Sequence, residues 1–262
     1  MYANNRYCGR VNALRAQNAE RDERYDDLSA VREGKAGSRW AHLFSDDWDR
    51  PIVANFIDSA AHDAADMISG LPTLNCAVST KGQRAQEKAE KKNKIGRGYW
   101  DASDLARQMK QFGAEYFVTY GFVPFFIEND REKKSPVIRI EDPRGTYYRL
   151  DRNGRVVEIA RVWKETLGDI VAMFPEAAEE IREELRGAND YAEASDSSEW
   201  EIVRYSDEMI TVLYMPGAKN YLLLQHRNLI PGRCPAAVAE TVRFGPRPRG
   251  QYEDVVSIYL AR

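Results

Sequence analysis

The sequence predicts an α+β fold in which amphipathic helices pack on small antiparallel sheets. Three observations predict it. Residues 122–128, 136–141, 147–150 and 156–164 are β-rich runs separated by charged or turn-forming breaks. Segments before and after them repeat apolar residues at spacings of three and four, the period of a buried helical stripe. The composition, 43% hydrophobic and 30% charged over 262 residues, is that of a chain able to bury one large core or two modest ones.

The elements follow in order. Residues 1–45 are polar, with only Val11, Leu14, Tyr25, Leu28 and Val31 to bury along a helix over 11–31, so they read as an arm that packs on a neighbour or frays. Residues 49–70 predict a helix. Asp49 can cap it, Pro51 suits the first turn, and Gly70 followed by Pro72 ends it. Its stripe would be Ile52, Phe56, Ala60, Ala64 and Met67, broadened by Val53, Ile57 and Ile68. Residues 71–78 predict a short strand. Residues 101–120 predict a second helix, capped by Asp101 or Ser103, with Leu105, Met109, Phe112, Tyr116 and Tyr120 on one face.

The four β-rich runs then form a small antiparallel sheet. Asn153-Gly154 marks a tight hairpin, because both residues tolerate positive φ. On the strand after it, Val157, Ile159 and Arg161 or Trp163 share one face, and Val156, Glu158, Ala160 and Val162 the other. Residues 167–186 predict a helix with Ile170, Val171, Phe174, Ala177, Ala178, Ile181 and Leu185 buried. Pro175 should kink or split it. Its other face is acidic: Glu176, Glu179, Glu180, Glu183, Glu184. A polar connector over 187–199 leads to strands at 200–205, 209–215 and 221–225, then one more at 238–244. A rigid Gly-Pro-Arg-Pro-Arg-Gly link precedes a helix that begins at Gln251, with Tyr252, Val255, Val256, Tyr259 and Leu260 at helical spacing.

Charge and motifs narrow the function classes. A formal net charge of −3 gives no global pull toward nucleic acid. The three cysteines, Cys8, Cys76 and Cys234, are far apart and form no CxxC pair, which fits a reducing compartment rather than a disulfide scaffold or a zinc site. No apolar run reaches membrane-spanning length, and residues 1–10 lack the apolar core of a signal peptide. There is no GxxxxGK[ST] loop, and no Ser or Cys sits beside His42, His62 or His226 in a nucleophile motif.

Two local features are candidates. Asp58, His62 and Asp66, four residues apart, would share one helix face and could converge on a metal; such a face is more often a solvated one. Residues 81–97 carry Lys81, Arg84, Lys88, Lys91, Lys92, Lys94 and Arg97 against Glu87 and Glu90, a candidate basic contact patch. The plain alternative is a solvated connector, since no aromatics are interleaved for base stacking.

Taken in order, four stretches resemble the portal proteins of tailed bacteriophages, especially those of siphoviruses infecting actinobacteria. RPIVANFIDSAAHDAADMISG is similar to an early helix of that family, entered through Arg-Pro. NKIGRGYWDASDLARQMKQFGAEYFVTYGFVPFFIE is similar to the helix-to-strand passage that follows. SPVIRIEDPRGTYYRLDRNGRVVEIARVWKE is the most specific: an EDP turn, an aromatic pair, then D-x-x-G-R-V and a strand with a tryptophan. HRNLIPGRCPAAVAETVRFGPRPRGQYEDVVSIYLAR resembles the passage from a rim loop to a helix of the stem. The order of the pieces across residues 50–262 carries the resemblance; residues 1–45 add little.

The resemblance implies an arm over 1–45, a wing domain over 46–250, and the start of a stem helix over 251–262 at Tyr252, Val255, Val256 and Tyr259. The stem, clip and crown of the family would lie outside this chain. It implies a structural subunit, not an enzyme, with no cofactor. Such subunits form a dodecameric ring at one capsid vertex of the virion and are assembled in the host cytoplasm. Double-stranded DNA passes through the ring during packaging and ejection. Partners would be further copies, the major capsid protein, a head-tail adaptor, the terminase large subunit in passing, and scaffold during assembly. The rival expectations are a metal-dependent hydrolase built on Asp58, His62 and Asp66, a plain protein-interaction scaffold, and a nucleic-acid binder acting through residues 81–97.

Overall fold

The computed structural model describes residues 2–41, 56–71, 75–78, 82–130, 135–188, 195–242 and 248–254. It is mixed α and β, as the sequence predicts, and it divides into two compact units. Residues 1–22 and 144–236 form one, and residues 23–143 and 237–262 the other.

The first unit is built on a five-stranded antiparallel meander. Its strands are β3 (Thr146–Leu150), β4 (Val156–Thr166), β5 (Glu199–Ser206), β6 (Ile210–Met215) and β7 (Tyr221–Arg227), in spatial order β3-β4-β5-β6-β7. Alternation along each strand feeds two apolar layers. Ala160, Val203, Tyr205, Val212 and Tyr214 face one way and meet Val11 and Leu14 of α1 (Asn5–Gln17). Ile202 and Met215 face the other way and meet Leu167 and Ile170 of α8 (Leu167–Met173) and Ile181 and Leu185 of α9 (Ala178–Ala188). The helix over 167–186 is split where expected. Pro175 starts a 3₁₀ turn, Pro175–Ala177, between α8 and α9. Thr166 caps α8 by accepting from the Asp169 N–H at 3.2 Å. Trp163 and Trp200 pack on the α8–α9 side.

The second unit is helical around a smaller sheet. Strands β1 (Phe122–Asp130), β2 (Ser135–Ile140) and β8 (Ala236–Glu240) lie in order β2-β1-β8. The β1–β2 register pairs Phe125 with Ile140 and Asp130 with Ser135. Around it stand the second half of α2 (Ala19–Arg32), α4 (Phe56–Ile68), α5 (Gln83–Ala102), the one-turn α6 (Leu105–Gln108) and α7 (Ala114–Tyr120). A further short helix, α3, spans Ala36–Arg39. A π-helical segment, Met109–Gly113, joins α6 to α7. Leu105, Met109, Phe112 and Tyr116 pack on Val123 and Ile140, as their spacing predicts. Gly121, at φ +78°, ends α7 in the left-handed region and turns the chain into β1. Gln108 treats the edge of β2 as a strand would: its amide donates to the Ile138 carbonyl and accepts from the Ile140 N–H, at 3.0 and 2.8 Å.

Several expectations are corrected. The β-rich middle is not one sheet. β1–β2 and β3–β4 belong to different sheets, because the chain breaks at Pro143, which cannot donate, and at Gly145, whose φ of +70° brings its Cα against the Val162 carbonyl. The polar start is not frayed: Val11, Leu14, Tyr25, Leu28 and Val31 are all buried, and Tyr25 donates to the Tyr120 carbonyl at 2.9 Å. A few large side chains suffice there because hydrogen bonds hold the rest. The stripe of α4 is rotated by one residue. Ala61 and Ala65 are the buried pair, against Ala114 and Val118 of α7, while Met67 is 86% exposed. Small side chains at i and i+4 let two helices approach closely, and that outweighs the larger apolar residues beside them.

The helix predicted over 101–120 has no side-chain cap at Asp101 or Ser103. α5 runs on to Ala102, and the Ser103 hydroxyl donates to the Tyr99 carbonyl and accepts from the Ile138 N–H. Residues 75–78 carry no strand, and the last strand starts at Ala236 rather than at 238. The hairpin at Asn153 and Gly154 is wider than a two-residue turn. Gly154 alone has positive φ, +76°, and the Asp151 carboxylate accepts from the N–H groups of Asn153 and Arg155. A register shift beside it leaves Val157 without a partner in β3. Of the expected stem start, Tyr252 packs beside Ala61 and Val118, whereas Val255, Val256 and Tyr259 lie outside the described residues. So do Ile52, Val53 and the proposed cap Asp49.

Candidate functional site

α5 carries the predicted basic patch. Its 20 residues, rich in Ala, Gln, Glu, Lys and Arg, are strong helix formers, so it needs little support from packing. At 1.5 Å per residue it is about 30 Å long. One narrow stripe is covered: Ala85, Ala89, Asn93, Gly96 and Trp100, at spacings of four, four, three and four. The Asn93 side chain accepts from the Cys76 N–H at 2.6 Å, and Trp100 joins the apolar cluster of Leu105, Val123 and Ile140.

The rest of the helix is exposed, and its charges are sorted. At 100° per residue, Arg84, Lys88, Lys91, Lys92, Ile95 and Tyr99 fall on one flank, with no acid among them. Glu87, Glu90 and Asp101 fall on the opposite flank, together with Lys94 and Arg97. Ile95 and Tyr99 are 46% and 40% exposed. Among the described residues, none of Arg84, Lys88, Lys91, Lys92, Lys94 and Arg97 makes an ion pair. Lys81 lies outside the described residues.

The second candidate, Asp58, His62 and Asp66, lies along α4, but two of the three side chains are engaged by other partners. The Arg32 guanidinium donates to Asp58 at 2.8 and 3.0 Å and contacts Glu115 at 2.8 Å and Thr119 at 2.5 Å. His62 Nδ1 meets the other oxygen of Glu115 at 2.6 Å. That hydrogen bond, with the charge of Glu115, raises the His62 pKa above its ordinary 6.5. Burial works against the charge of Arg32, but Asp58 and Glu115 outweigh it and raise its pKa. Asp58 and His62 are thereby linked through Arg32 and Glu115. Among the described residues, no group of three His, Cys, Asp or Glu side chains could hold a metal ion.

Two features had no signal in the sequence. Glu158, predicted only as one residue of an alternating strand, is 3% exposed. It takes hydrogen bonds from Arg149 and Tyr205, at 2.6 and 3.0 Å, and pairs with Arg10 at 3.2 Å. Burial, then the charge of Glu158, pushes the Tyr205 phenol well above its usual range. Cys234 is held as a thiol, its pKa pushed by burial to about 12. Neither feature is readable from local spacing, since the partners are far apart in the chain.

No helix among the described residues is long and apolar enough to cross a membrane. No known protein-family model matches this chain, and no curated protein matches it.

Proposed function

We propose that this chain is a structural subunit of a phage portal ring, carrying the wing and the first turns of the stem. It would form part of the channel through which double-stranded DNA is packaged and ejected at one capsid vertex, with the head-tail adaptor attached there. The observation that carries this reading is the order of the four portal-like stretches across residues 50–262.

The physical chemistry supports it. A conduit must not hold DNA tightly, because every neutralised phosphate adds salt-dependent affinity. A subunit of net charge −3, with six cations on α5 that make no ion pair among the described residues, meets that requirement better than a basic one would. Ring subunits also need exposed, structured surfaces of two different kinds, since a head-to-tail contact joins unlike patches. Helices α5 and α9 provide them.

The test is single-particle imaging of the full chain in its assembly. Rings with a central hole wide enough for duplex DNA are expected. Monomers or small dimers without a hole would sink the reading.

A further inference from the structure

We propose that the cationic flank of α5 docks on the acidic outer face of α9 in a second copy of this chain. This rests on the ring reading only for the closure of the contacts into a ring. The contact itself rests on two surfaces of opposite charge.

The first surface is Arg84, Lys88, Lys91 and Lys92, continued by the exposed Ile95 and Tyr99. The second lies directly opposite the buried Ile181 and Leu185. Glu179 and Glu183, four residues apart, lie there, and Glu176 precedes them in the 3₁₀ turn; all three are exposed. Among the described residues, none of these three acids makes an ion pair. Glu180 and Glu184 add charge to the same side while accepting from the Tyr221 and Tyr2 hydroxyls, each at 2.8 Å. Met173, 48% exposed, ends α8 ahead of the 3₁₀ turn. The basic row spans about 12 Å from Arg84 to Lys92, at 1.5 Å per residue.

The apolar residues favour a protein partner over phosphate. Ile95 and Tyr99 gain by losing water against a protein surface, and nothing in a sugar-phosphate backbone offers that. The acids on the opposite flank of α5 would also repel a duplex wrapped around the helix. Because the two strips are different surfaces, the contact is head-to-tail.

The test uses two full-length variants. One carries Lys88→Glu, Lys91→Glu and Lys92→Glu; the other carries Glu176→Lys, Glu179→Lys and Glu183→Lys. All six side chains are exposed, and circular dichroism checks that both variants fold. Light scattering after size exclusion reads the mass. The wild-type chain should be oligomeric, each variant alone should fall to monomer, and an equimolar mixture should regain the wild-type mass, because alternating copies restore opposite charges at every contact. Variants that keep the wild-type mass, or a mixture that stays monomeric, overturn the strip pairing and leave the ring reading standing. A wild-type chain that is monomeric at every concentration overturns both. Loss of binding to a duplex oligonucleotide in the lysine variant, with its mass unchanged, assigns the strip to phosphate and overturns the proposal.

Discussion

In the unit of residues 1–22 and 144–236, five strands share one ladder, and apolar side chains cover both faces of it, from α1 on one side and from α8 and α9 on the other. The unit of residues 23–143 and 237–262 has a three-stranded sheet with one apolar cluster around Leu105, Val123 and Ile140, an α4–α7 contact made by alanines and one valine, and several links that are polar. Arg32 ties α2 to α4 and α7, and Tyr25 ties α2 to the end of α7. The difference teaches where rigidity comes from. The first unit resists perturbation through buried area. The second packs α6 and the π-helical segment on its sheet through an apolar cluster, but holds α4 through small side chains and directional bonds, and α4 should open locally at lower free energy.

Truncating one buried side chain in each unit puts the contrast to its largest test. Ile202 is fully buried between β5 and the two helices, so Ile202→Ala should cost about 4 kcal/mol. Val118→Ala, at the α4–α7 contact, removes two methyl groups and should cost roughly 1.5 kcal/mol. Hydrogen exchange read by mass spectrometry assigns each loss to its own unit. Equal losses would mean that α4 is also held mainly by buried apolar area.

The polar links are probed next. Arg32→Ala leaves the largely buried Glu115 carboxylate without its cation and should destabilise the second unit by about 2 kcal/mol. If the unpaired charge is the cause, Arg32→Ala with Glu115→Gln should be more stable than Arg32→Ala alone. Thermal denaturation of the two variants decides this. A double variant no better than the single one would assign the loss to packing of the arginine stem.

A smaller effect is expected at the rim of the first unit. Gly154 sits at φ +76° with open space around it, so Gly154→Ala meets no clash and pays only for the left-handed backbone, about 1 kcal/mol. A change below about 0.3 kcal/mol, outside the usual range for that strain, would show that the Asp151 carboxylate alone sets the turn.

What could be read from the sequence follows the same division. Strands β3 to β7 were legible because each is a short apolar run bounded by Gly, Pro, Asn or Asp. The α8–α9 stripe and its break at Pro175 were legible because one proline and seven apolar positions specify them locally. The phase of α4 was not, because Ala61 and Ala65 win by closeness to Ala114 and Val118, a property of the partner helix. The basic patch was legible as composition, but its sorting into a cationic and a mixed flank needed the helix to start near Gln83 and run past residue 97. Arg32 carried no signal at all. Its partners Asp58, Glu115 and Thr119 come from two other helices, and only the fold brings them to one guanidinium.

The smallest effect tests the polar character of the second unit by pH. Glu115 holds the His62 proton, so the folded-state pKa lies above the ordinary 6.5. A group whose pKa is raised on folding stabilises the protein while it is protonated in both states, and loses that contribution as pH rises through the folded value. The stabilisation should therefore be complete below about pH 6.5 and gone above the raised pKa. Asp58 and Asp66 on α4 add to it by charge, and Arg32 faces the same Glu115 from α2, which limits its size. His62 is exposed, and solvent screens the pair further. Melting temperatures of the wild-type chain and of His62→Gln, compared across this window, should differ on the acid side and converge on the basic side. A difference that grows with pH would mean that His62 is bound as the neutral ring, donating its Nδ1–H to Glu115, and the pair would then belong with hydrogen bonds such as that of Tyr25 rather than among the ion pairs of Arg32.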